Sequence, residues 1–104
     1  MKVLFIGNSH TYFNDMPALF QSLCAEKGFS VHVTMLTKGG MGLDYHLKQE
    51  QTLFNIRYGG YDYVVLQHNA HPMGDLDAMH EAACALVKLI REAGSTVYSD
   101  WYRV

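Results

Sequence analysis

Apolar and polar positions along the chain switch between two periods, and each switch marks an element. Val3 to Ile6 is an unbroken apolar run ending at Gly7, the pattern of a strand buried on both faces of a parallel sheet. From Met16 to Lys27 the apolar residues Ala18, Leu19, Phe20 and Leu23 recur at helical spacing. Asn14 or Asp15 stands ready as N-cap, Pro17 falls in the first turn, and Gly28 suits the residue just past the end. Phe29 to Leu36 alternates, with Val31, Val33 and Met35 on one face and His32 and Thr34 on the other, which predicts a strand near a sheet edge. A helix is expected over Leu43–Phe54, closed by Tyr58-Gly59-Gly60. Tyr61 to Gln67 reads as a central strand because of its Val64-Val65-Leu66 run. The strongest helical pattern covers Leu76 to Ala93, where Met79, Ala83, Leu86, Val87 and Ile90 share one face and Gly94 is the stop. Thr96-Val97-Tyr98 then opens a fourth strand.

Regular alternation of strand and helix, with separations that suit right-handed crossovers, predicts an α/β protein: a three-layer α/β/α sandwich around a parallel sheet. A length of 104 residues fits one domain, residues 1–104, with one core. A net charge of −2 without any basic run argues against nucleic acid and anionic membrane as partners. No apolar stretch approaches the length needed to span a bilayer. The first residues enter a strand at once and show no signal peptide, so the expectation is a cytoplasmic protein, or one whose leader has been removed. Cys24 and Cys84 have no metal-ligand spacing and read as free thiols buried like small hydrophobes.

Candidate chemistry gathers where the strands end. Gly7-Asn8-Ser9-His10-Thr11 follows the first strand, which puts Ser9 at its carboxyl end, where open α/β sheets bind ligands. After the second strand, Gly39-Gly40-Met41-Gly42 allows close backbone approach to a ligand. After the third comes Gln67-His68-Asn69-Ala70-His71-Pro72. An Asp77-Ala78-Met79-His80 string reads as helix-start chemistry, an acidic residue near the positive helix end.

Gly7-Asn8-Ser9 resembles the nucleophile motif of the SGNH (GDSL-type) hydrolase superfamily, with Asn8 in place of the usual Asp. The resemblance extends, in order, to the glycine loop and to Asn69, and so covers essentially the whole chain. It implies a flavodoxin-like SGNH hydrolase fold with strand order 2-1-3-4. Ser9 would be the nucleophile. Gly42, with Gly40 as the second choice, would offer an oxyanion-hole N–H, and Asn69 its side-chain amide. Gln67 and Ala70 depart from the family's Gly-x-Asn-Asp at that place. The family's closing Asp-x-x-His segment has no counterpart in order, so the chain resembles the amino-terminal part of the domain, a truncated form, and His68, His71 and His10 are the candidates for a substitute base. The implied activity is that of a serine esterase or acetyl-hydrolase acting on a small ester or acetylated sugar, weak or absent without the usual His, with no cofactor and no metal.

Two other readings remain open. The Gly-Asn-Ser-His-Thr loop also resembles a flavodoxin-type phosphate loop, which would make the chain an FMN-binding carrier with Tyr12 and Tyr63 as ring contacts. A non-catalytic SGNH-like remnant is the other. A sheet whose last strand carries Val97 and Tyr98, with Trp101 beyond, predicts a homo-oligomer formed through this carboxyl-terminal edge.

Overall fold

The structure, a computed structural model, describes residues 1–12, 15–39, 41–67 and 76–99, without the side chains of residues 10, 76–79 and 99. Its elements in chain order are β1 (Lys2–Gly7), α1 (Ser9–Tyr12), α2 (Met16–Glu26), β2 (His32–Thr37), α3 (Leu43–Leu47), α4 (Glu50–Tyr58), β3 (Tyr63–Leu66), α5 (Leu76–Glu92) and β4 (Thr96–Ser99). The four strands form one parallel sheet in the order β2-β1-β3-β4, as expected. β1, apolar on both faces, sits between β2 and β3, while the alternating β2 is an edge strand.

Period-two alternation sends the residues of each strand to opposite layers. Leu4, Ile6, Val64, Leu66 and Val97 pack with Leu43 of α3, Ile56 of α4 and Leu86 and Ile90 of α5. Val3, Phe5 and Val31 pack on the other face with Phe20 and Cys24 of α2. Helices therefore cover both faces, and the flavodoxin-like architecture expected of the SGNH fold is present.

Several local expectations change. α2 turns Pro17, Phe20 and Cys24 toward the sheet and leaves Leu19 and Leu23 more than half exposed, so its inner stripe is not the one the leucines suggested. Asp15 is its N-cap residue but makes no side-chain capping bond and holds φ 53°. At the other end Gly28, at φ 87°, closes a Schellman cap: its N–H donates to Ala25 O (3.0 Å) and Phe29 N–H to Cys24 O (2.9 Å). Phe29 thus belongs to the helix end, and β2 starts three residues later.

The single helix expected from Leu43 to Phe54 is two. Continuing the phase of Leu43 and Leu47 would bring Glu50 and Phe54 inward. A break at Lys48–Gln49, with Gln49 extended, rephases the chain so that Thr52 and Ile56 are buried and Phe54 faces out. α5 follows its pattern, with Ala83, Leu86, Val87 and Ile90 buried. Cys84 on that helix is exposed rather than buried, and Cys24 is half-buried; both are free.

Candidate active site

β1 delivers Gly7 to the carboxyl edge of the sheet, where the chain turns at buried Asn8 and enters α1 at Ser9. What reads in sequence as a tight turn is one helical turn, with Thr11 N–H donating to Asn8 O at 3.0 Å. Ser9 is half-buried at its start. Gly7 is needed for space. A Cβ there would lie 2.9 Å from Gln67 Oε1, 3.0 Å from Gln67 Cβ, and closer still to Thr11 Oγ1. The bare backbone lets buried Thr11 donate its hydroxyl to Gln67 Oε1 directly across it. Gln67, which departs from the motif's glycine, thereby ties the end of β3 to the Ser9 turn, and its own N–H donates to Ile6 O at 2.9 Å.

The glycine loop meets the same point from the other side. Thr37 pairs with Gly7 in register, and Lys38 N–H donates to Gly7 O at 3.2 Å. A Cβ on Gly39 would come within 3.1 Å of Tyr12 Oη, so the tyrosine hydroxyl of α1 lies over this loop. Gly42 is buried in extended backbone (φ −94°) just ahead of α3, and its carbonyl receives Tyr45 N–H at 3.2 Å.

One turn into α3, His46 is 3% exposed and places Nε2 2.7 Å from Gly7 O. A carbonyl oxygen only accepts, so Nε2 carries the proton. The Tyr45 ring stands edge-on to the imidazole, with centroids 5.3 Å apart. Burial lowers the His46 pKa from its ordinary 6.5, against the smaller opposing effects of the Gly7 bond and the nearby Asp44 charge. The ring is therefore neutral near pH 7, and its Nε2 is committed to the backbone.

Of the residues singled out in the sequence, Ser9 opens α1 and Gly42 precedes α3, and the segments that carry them meet at the Gly7 carbonyl. Gly40, Asn69, His68 and His71 lie outside the described residues; Leu66 pairs with Ile6, so β3 ends beside the Ser9 turn just ahead of the last three in sequence. His10 is within α1, its side chain undescribed. Asp77 and His80 fall in the opening turns of α5, where His80 Nε2 stands 3.6 Å from Cys84 Sγ. Tyr63 pairs with Val3 near the start of the sheet, four register positions from Gly7, while Tyr12 ends the helical turn that follows Gly7. Among the described residues no group of three or more His, Cys, Asp or Glu is placed to hold a metal. Within the described elements, no helix is long and apolar enough to cross a membrane.

Thr11, Gln67 and His46 went unremarked as site residues in the sequence. Only His46 left a signal there: it shares the inward spacing of Leu43 and Leu47, an unusual place for a polar ring.

No family model matches the chain. No curated protein matches it either. Among solved structures it is similar to the psychrotrophic esterase EstA from Pseudoalteromonas sp., in a crystal structure inhibited by monoethylphosphonate, with a TM-score of 0.75 at 15% identity. The match covers 94% of this chain and 57% of the esterase, so the chain spans little more than half of that protein's length. At this identity the likeness shows the fold: this chain shares the α/β architecture of an esterase.

Proposed function

We propose that the chain, a single SGNH-like domain in part, carries the nucleophile and oxyanion-binding end of a serine hydrolase acting on a small ester or acetylated sugar. The observation that carries the reading is the placement of Ser9: at the carboxyl edge of a 2-1-3-4 parallel sheet, on a backbone turn bonded to the glycine loop through Gly7 O. The fold shared with an esterase supports it.

On this reading Ser9 Oγ attacks the acyl carbon while a base removes its proton. The carbonyl π pair moves onto oxygen, and the resulting oxyanion accepts hydrogen bonds from Ser9 N–H, Gly42 N–H and the Asn69 amide. Collapse expels the alcohol, which takes up the proton, and leaves Ser9 acylated; water then repeats the sequence to release the acid. Each preorganised donor contributes ~3–4 kcal/mol to such a step. The weak point is the base, because a hydroxyl is a poor nucleophile without one. His46 Nε2 cannot take the Ser9 proton, since it already donates its own to Gly7 O. The remaining candidates are His10, His68 and His71. Oxyanion donors and binding alone sustain ~10³–10⁴-fold catalysis over water, far below an intact triad.

Hydrolysis of p-nitrophenyl acetate tests the proposal. Weak turnover that falls on Ser9→Ala is the expected result. Strong turnover abolished by His10→Ala, His68→Ala or His71→Ala would identify a substitute base. Turnover untouched by Ser9→Ala would sink the nucleophile assignment, and a yellow, flavin-loaded protein would move the chain to the carrier reading.

A further inference from the structure

We infer that His46 is a positioning residue that holds the Ser9 turn and the Gly42 loop in one register through its Nε2–H···O=C bond to Gly7. The inference deepens the hydrolase reading and, for its catalytic consequence, rests on it.

The argument begins with what converges on one oxygen. Gly7 O accepts from Lys38 N–H at 3.2 Å and from His46 Nε2 at 2.7 Å. Lys38 opens the glycine loop and His46 lies on the helix that the loop enters, so both ends of residues 38–46 are fastened to the residue two before Ser9. The two N–H groups assigned to the oxyanion, those of Ser9 and Gly42, flank this junction in sequence: two residues past Gly7 and four ahead of His46. A donor pair holds its value only if its spacing is fixed before the charge develops. His46 reaches from α3 to the Gly7 carbonyl, Tyr12 Oη lies over Gly39, and Thr11 with Gln67 closes the opposite side of Gly7.

Burial makes this bond consequential. An imidazole 3% exposed has few routes to water, so losing its acceptor would leave a buried donor unpaired. A leucine of similar size would fill the same buried space and remove only the tie. For the same reason Nε2 cannot accept a proton from Ser9: it carries its own, and the ring's one lone pair lies on Nδ1 rather than on the nitrogen that meets the turn.

Native-state hydrogen exchange on the full chain separates positioning from general packing. His46→Leu is expected to speed exchange about tenfold at Thr11, Lys38 and Tyr45, whose amides hydrogen-bond within the two segments, as suits loss of one buried hydrogen bond. Ser95 and Thr96, bonded at the far end of the sheet, should keep their rates. His46→Gln, which retains an N–H donor, should restore much of the protection. Uniform acceleration at all five amides, or none at the first three, overturns the inference. If His46→Leu does not fold, His46→Asn, too short to reach Gly7 O, serves in its place. With p-nitrophenyl acetate, kcat should fall about tenfold with KM within about twofold of wild type; an equal loss confined to KM also overturns it. Where wild-type turnover is too slow to measure, exchange alone decides. Hydrolysis indifferent to Ser9→Ala would remove the catalytic meaning and leave the exchange result to judge the tie itself.

Discussion

Lowering the pH below neutrality should destabilise this protein through His46. The imidazole is buried, and desolvation holds its folded-state pKa below the ordinary 6.5 that it regains on unfolding. The sign follows directly. Above pH 6.5 the ring is neutral in both states and stability does not depend on it. Between 6.5 and the lower folded value the unfolded chain binds a proton that the folded chain refuses, so stability falls as pH falls. One proton changes stability by at most about 1.4 kcal/mol per pH unit. Moving from about pH 7.5 to about pH 5.5 enters that window from above, so both the urea midpoint and Tm should fall. Urea titrations at the two pH values on wild type and His46→Gln measure it. The wild type should lose midpoint denaturant and the variant should lose distinctly less. Equal losses in both proteins would refute the assignment of the acid sensitivity to His46.

Other expectations rest on contacts as local. Gly7→Ala should cost about 1–3 kcal/mol, because the new Cβ drives into Thr11 Oγ1 and Gln67 where no slack exists; thermal melts against wild type check it. Leu86→Ala, at a fully buried position of α5, should cost about 2–5 kcal/mol in the same assay. Self-association through the carboxyl-terminal edge is proposed because β4 pairs only with β3 among the described residues, and exposed Tyr98 joins Phe5, Tyr63 and Val65 in an open apolar groove of about 510 Å³. Light scattering at tens of micromolar should show a species larger than a monomer that Tyr98→Lys weakens; a clean wild-type monomer counts against it.

The fold was largely legible because two signals in the chain are strong and local. The unbroken run Val3–Ile6 marks a central strand and the alternation around Val33 an edge strand, and both sit where expected. Gly28 and Gly94 each end a helix at positive φ, as their places in the pattern require. What the pattern missed depends on contacts between distant segments. Leu19 and Leu23 promise an inner face, yet the sheet meets α2 along Phe20 and Cys24. The break between α3 and α4 answers the need to bury Thr52 and Ile56, which periodicity within either half does not reveal. At the site, Ser9 and Gly42 were legible as motif positions after strands. Thr11, Gln67 and His46 were not, because their meaning is the one backbone residue, Gly7, on which all three close from three different elements.

The nucleophile assignment of Ser9 is tested most directly by covalent trapping. The chain would be incubated with an activated alkylphosphonate ester and the adduct located by peptide mass spectrometry. Attack by Ser9 Oγ on phosphorus, with loss of the leaving group, should give a single slow modification on the peptide carrying Ser9, and Ser9→Ala should abolish it. Equal labelling of the Ser9→Ala protein, or modification confined to another residue, would contradict the account.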